Sequence, residues 1–300
     1  MTSKVLRFGI VFLLQIFIGT LGNFSLLFYH VFLHFSGFRS RPTDLILRHL
    51  TVANSLVLLS RGIPEIMAAF GLRSFLGDIG CKLVFSVHRV SRGVSVTTTC
   101  LLSIFQYITI SPRNSRWAEH RVKAQKSIDL FNFLCWVLHM LLNIRTPMLM
   151  TDRWSNSNLS TGIDFLYCSA VLRDRDADSV FAALTFSHDV LCLELMIWAS
   201  GSMVLILNRH MQRVHHIHRY QVSSRSTAET RATRSILVLA SAFIFSYALS
   251  SIIHVCFSEF GTTAWWLVST SALVNGCFPT ASPFILMGRE RCVSHLTWRK

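Results

Sequence analysis

Charge is scarce in this chain. Only 15% of its 300 residues are Asp, Glu, Lys or Arg, where a soluble domain carries about a quarter. That scarcity argues against an ordinary soluble enzyme. Phosphate loops, dinucleotide fingerprints, HExxH zinc helices and paired CxxC knuckles are all missing. Repeats of about 20–50 residues and low-complexity tracts are missing too, which excludes solenoids and biased linkers. No nucleophile–base pair or metal-ligand constellation stands out, so neither catalysis nor a cofactor nor a metal is expected.

Apolar residues are abundant instead, at 51% of the chain. They gather in seven long runs, about 6–34, 45–70, 81–110, 127–150, 179–208, 235–258 and 263–287. A helix needs about 20 such residues to cross a bilayer. Lipid leaves only helices or closed barrels, and these runs are too long and too uniform for barrel strands. The expected fold is all-α: one seven-transmembrane helix bundle over residues 1–300, ending in a short tail at 288–300. The first run begins next to Met1 and shows no small-residue cleavage site, so it is read as a permanent span.

The net charge of +14 invites a nucleic-acid reading, but the positive residues lie in islands between apolar runs. Arg39 and Arg41 follow the first run; Arg113, Arg116, Arg121, Lys123 and Lys126 follow the third. Arg209, Arg213, Arg219, Arg225, Arg231 and Arg234 follow the fifth, and Arg289, Arg291, Arg299 and Lys300 the seventh. The alternate loops are poor in Lys and Arg. Positive loops face the cytoplasm, so the N-terminus is expected outside and the C-terminus inside, against the local signal of Lys4 and Arg7. The basic skin then faces anionic lipid, and no nucleic acid is expected.

Eight cysteines lie mostly within apolar runs, which excludes a soluble disulfide scaffold. In this topology Cys81 and Cys168 fall outside, where a bridge persists; two free thiols are the alternative. Asn158-Leu-Ser160 is a glycosylation sequon on the same outer loop. Asn23-Phe-Ser25 has the same pattern inside the first run, where the topology rejects it.

Several ionisable residues interrupt the runs. Arg61 and Glu65 stand four apart in the second, His88, Arg89 and Arg92 in the third, and His188, Asp189 and Glu194 in the fifth. Charge at bilayer depth normally faces a partner or a wet cavity. A polar pocket between these three runs is therefore expected, with Phe85, Phe186, Trp198 and Trp266 as apolar lining. The alternative is that the charges pair and lock the helices.

The stretches HLTVANSLVLLSRGIPE (49–65), GCKLVFSVHRVSRGVSVTTTCLLSIFQYITISP (80–112), DVLCLELMIWASGSMV (189–204) and FPTASPFILM (278–287) resemble vomeronasal type-1 receptors, a branch of the seven-helix G-protein-coupled receptors. Gly22-Asn23, Asn54 and Trp136 fall where that broader class keeps helix markers. Phe105-Gln106-Tyr107 stands where most relatives have Asp-Arg-Tyr, and Ser282-Pro283 where they have Asn-Pro. The sixth run lacks a proline, so the usual kink there is missing.

The resemblance implies a plasma-membrane chemosensory receptor. It would bind a small, pheromone-like organic ligand and act on a heterotrimeric G protein of the inhibitory type. Arg61, Glu65, His88, Arg89, Arg92, Asp189 and Glu194 are the candidate ligand residues. Gln106, Tyr107, Ile110, Arg113 and Arg213 are the candidate G-protein contacts. A bitter-taste-like receptor is the nearest alternative. A transporter or channel is a further one, against which stands the lack of paired broken helices in an inverted repeat.

Overall fold

The computed structural model describes residues 3–36, 42–72, 75–111, 117–152, 162–164, 167–171, 175–217, 224–260 and 265–297. Seven long helices dominate it: α1 (Ser3–Phe35), α2 (Pro42–Ala69), α3 (Gly77–Ile110), α4 (Trp117–Leu142), α6 (Arg175–Ile217), α7 (Ser224–Phe260) and α8 (Trp265–Thr297). A one-turn helix, α5 (Thr146–Leu149), follows α4. The fourth apolar run thus breaks before its expected end at 150. Pro147 sits at the start of α5, where a missing N–H is tolerated at a helix beginning but not within one. Helices α4, α6, α7 and α8 also run past the apolar stretches into basic sequence, and α8 takes up most of the expected tail.

A small sheet is added to the helices. Strands β1 (Met150–Asp152), β2 (Gly162–Asp164) and β3 (Cys168–Val171) form it in the order β1-β3-β2, with Met150 opposite Ala170 and Gly162 opposite Val171. The all-α expectation missed it because strands this short carry no hydropathy signal. Cys81, near the start of α3, is disulfide-bonded to Cys168 in β3, with Cα atoms 5.9 Å apart. This end of the bundle is called the disulfide end below.

Helix α3 is central and packs on α2, α4, α6 and α7, while α1, α2 and α8 pack on one another and α7 on α8. Burial is inverted relative to a soluble protein. Phe28 and Phe17 are 72% and 67% exposed, yet Asn54, Thr98 and His139 are wholly buried. Apolar side chains outside and paired polar ones inside is the arrangement lipid demands. Among the described residues, five segments are long and apolar enough to cross a membrane: Leu6–Phe35, Gly77–Ile110, Ser127–Leu149, Ser179–Arg209 and Thr233–Ser250. Helices α2 and α8 fall outside that set. Both carry the inward polar groups, including Asn54, Ser55 and Glu65 on α2 and Ser269, Ser271 and Ser282 on α8.

Those groups knit the helices. Ser95 Oγ donates to Asn54 Oδ1 at 2.6 Å, and Asn54 Nδ2 donates to Ser282 Oγ at 2.8 Å, joining α3, α2 and α8. Pro283 has no N–H, so the carbonyl four residues earlier loses its helical partner. That carbonyl belongs to Pro279, and Asn23 Nδ2 of α1 donates to it at 2.8 Å. Close approach matters where α3 meets α4: a Cβ on Gly93 of α3 would collide with the His139 ring of α4.

Candidate functional site

The intramembrane charges sort themselves by helix face. On α2, Arg61 Nε and Glu65 Oε1 are 3.9 Å apart, an i,i+4 pair with Glu65 buried. His88 of α3 is buried and its Nδ1 lies 3.5 Å from Ser60 Oγ. One turn further, Arg92 reaches toward α6, where its guanidinium is 4.0 Å from Asp189 Oδ2. The same guanidinium lies over the Tyr247 ring of α7, 5.8 Å from its centroid. His188 Nδ1 is 3.6 Å from Asp189 Oδ1. Arg92 therefore touches α6 and α7 from the central helix.

Beside it lies a cavity of about 40 Å³, lined among others by Val57, Arg92, Ser95, Phe243, Tyr247 and Asn275. Its lining mixes a few charged and polar side chains with aromatic and aliphatic ones, the composition of a small-molecule site. Its volume holds a water or two, so an organic ligand needs the helices to part.

Two expected members stand apart. Glu194 is exposed, on the face of α6 that also exposes Leu191, Ile197 and Trp198. It is not brought to the Arg92 cluster, because five residues turn a helix by roughly 140°. Arg89 is likewise exposed on α3 and does not line the cavity. The apolar lining also differs from expectation. Phe186 and Trp198 face outward, and Phe85 packs near the disulfide; the side chain of Trp266 lies outside the described residues.

Sequence reasoning missed Tyr247, His139, Thr97 and Tyr167. Thr97 Oγ1 lies 2.8 Å from His139 Nε2 and 3.4 Å from His188 Nε2, joining α3 to α4 and α6. The two imidazoles meet edge to face at 4.8 Å. Lone polar residues in the fourth and sixth apolar runs were the available signal. Tyr167 precedes Cys168 and is fully buried, its ring 6.0 Å from Phe85. Burial first, and then the Glu65 charge, push its phenol above the usual range, with Arg61 opposing.

At the opposite end, Gln106 is buried and its Nε2 donates to Thr233 Oγ1 of α7 at 3.4 Å. It is turned into the bundle, away from any surface contact. Tyr107 packs edge to face on Trp198 at 4.9 Å, and Ile110 packs against the main apolar core. Arg113 and Asn158 lie outside the described residues, as does the side chain of Arg213.

The profile of the vomeronasal organ pheromone receptor family matches residues 6–299. Vomeronasal type-1 receptor 2 of Homo sapiens is 56% identical over 284 residues, 95% of this chain and 72% of its own length. Vomeronasal type-1 receptor 4 of Homo sapiens is 49% identical over 293 residues, 98% of this chain and 97% of its own. Olfactory receptor class A-like protein 1 of Danio rerio is 29% identical over 286 residues, 94% of this chain and 89% of its own. On the match across nearly the whole length, the chain belongs to the vomeronasal organ pheromone receptor family of G-protein-coupled chemosensory receptors.

Proposed function

We propose that the chain spans the plasma membrane seven times, disulfide end outside and basic end in the cytoplasm, and reports a small organic ligand to an inhibitory heterotrimeric G protein. The observation that carries this is Arg92. It sits on the central helix, against Asp189 of α6 and Tyr247 of α7, at the edge of the cavity. A ligand entering there competes for the same guanidinium and ring. Because the cavity is small, binding favours a conformation in which α7 stands further from α3. Only differential affinity for that conformation drives signalling, and ligand and G protein then strengthen each other's binding.

The far end of α7 meets α3 through Gln106 and Thr233. Parting these helices opens a cleft among Tyr107, Ile110 and the basic segments containing Arg113 and Arg213, where the G protein docks. Arg61, Glu65 and His88 extend the ligand site toward the disulfide end, and Asn158 carries a glycan on the outer segment. Arg89, exposed on α3, is left out of this site.

The test is calcium or cAMP signalling in cells expressing the chain, challenged with volatile and steroid-like compounds, with and without pertussis toxin. A compound-evoked response lost with toxin is expected. Arg92→Ala is expected to weaken the response more than it lowers surface level. Current or uptake without a G protein would sink the reading.

A further inference from the structure

Tyr167 has a side chain that is 1% exposed and a hydroxyl that finds no hydrogen-bond partner among the described residues. The disulfide holds it there, since Cys168 is the next residue and Cys81 Sγ lies 3.8 Å from the Tyr167 carbonyl. Its ring lies 6.0 Å from that of Phe85 of α3, in a buried cluster that also holds Ala68 of α2 and Met150 of β1. Phenylalanine would fill the same space without burying an unbonded hydroxyl, so stability alone disfavours tyrosine. A buried polar group of this kind needs an explanation, and polar atoms kept at a cost in stability concentrate where ligands bind.

The surroundings define what fits. Glu65 stands one turn before Ala68 on α2 and is itself 3% exposed, with Arg61 3.9 Å away. Burial and then the Glu65 charge raise the phenol above its usual range and the Arg61 charge opposes, so both charges are felt there. They are opposite in sign, so an anionic group entering here meets the Glu65 carboxylate and a cationic one meets Arg61. A neutral oxygen meets neither penalty. The Tyr167 hydroxyl donates to a carbonyl or hydroxyl oxygen, Glu65 accepts from a hydroxyl, and Ala68 and Phe85 take the attached hydrocarbon.

We propose that Tyr167, with Glu65, Ala68 and Phe85, forms a subsite for the neutral oxygenated group, a hydroxyl or carbonyl, of a small organic ligand. It lies toward the disulfide end, apart from the Arg92 cavity, and rests on the reading that the bundle takes such a ligand.

The experiment compares thermal unfolding of the purified full chain and its Tyr167→Phe variant, first with nothing added. Removing an unbonded buried hydroxyl is expected to raise the melting temperature by about 2 °C. The pair is then measured with cyclohexanol and with methylcyclohexane at matched concentration. Cyclohexanol is expected to stabilise the wild type by about 1 °C more than the variant, and the hydrocarbon to act equally on both. A variant that melts at or below the wild type, or fails to accumulate, has lost a structural hydrogen bond and overturns the proposal. Equal cyclohexanol shifts, none at all included, overturn it too. Neither arm involves a G protein, so absent signalling in cells would remove the receptor reading and leave this result standing.

Discussion

At the disulfide end, α3 is bridged to β3 by Cys81 with Cys168 and paired to α6 by Arg92 with Asp189, while Arg61 and Glu65 pair within α2. At the other end, α3 and α7 meet through a neutral amide and a hydroxyl, Gln106 and Thr233, at 3.4 Å. A neutral hydrogen bond contributes about 1 kcal/mol. Breaking a buried ion pair by removing one partner costs about 3–5 kcal/mol. The difference teaches where motion is cheap. On these contacts the bundle is pinned at one end and lightly latched at the other, and under the proposed function a small shift near Arg92 is released as helix separation around Gln106. Between the two lies the Ser95–Asn54–Ser282 chain, neutral but doubly bonded at its centre.

The strongest way to break this contrast is to cut the pinned end. Cys81 and Cys168 are 87 residues apart in sequence, and closing such a chain contributes about 4–5 kcal/mol in the entropy description. Cys81→Ser and Cys168→Ser should each abolish most surface delivery of a tagged chain, read by flow cytometry on intact cells. Normal delivery and signalling from both would show that the sheet and helix packing hold this end unaided.

A smaller loss is expected at Arg92. The Asp189 side chain is 8% exposed, but that of Arg92 is 36% exposed and the pair is 4.0 Å apart, so solvent screens it. Arg92→Ala should cost roughly 2 kcal/mol, below the range for a fully buried pair. Combining it with Asp189→Asn should restore part of that, since the stranded carboxylate is what destabilises. Thermal denaturation of the two single variants and the double gives the coupling. Additive losses would mean that Arg92 and Asp189 do not act as a pair.

The helical part of the fold was legible because hydrocarbon length and backbone satisfaction leave a chain of long apolar runs few choices. The bridge was legible because topology put two cysteines on one side. What could not be read was rotation. Arg89, Arg92, Asp189 and Glu194 are equally conspicuous in sequence, yet Arg92 and Asp189 meet while Arg89 and Glu194 face out. Which face of α3 or α6 turns inward depends on the packing of neighbours such as Gly93 against His139, which no local pattern encodes. Tyr167 and the strands were hidden for a related reason. Their partners are distant in the chain, and segments this short carry no period.

The latched end yields the next prediction. Gln106→Leu keeps the volume and removes the donor to Thr233, as Thr233→Val removes the acceptor. Losing about 1 kcal/mol that favours the closed arrangement raises the open fraction roughly fivefold. Ligand-free suppression of cAMP, normalised to surface level, should rise accordingly in both variants. If it stays flat, α7 is held by apolar packing, and the two ends differ less than their chemistry implies.

The smallest effect is expected at Glu194, and it tests the outward face directly. Five residues separate it from Asp189, which turns it roughly 140° around the helix, and its neighbours on that face, Leu191, Ile197 and Trp198, are all about half exposed. From there it cannot share the Arg92 guanidinium. Glu194→Gln should leave the potency of any activating compound unchanged within about twofold, as surface substitutions away from special features do. Surface delivery should be equal or better, since a charge leaves the apolar side of the bundle. A potency loss as large as that of Arg92→Ala would place Glu194 inside the ligand site. It would require α6 to rotate during signalling, making the pinned half of the molecule a moving part.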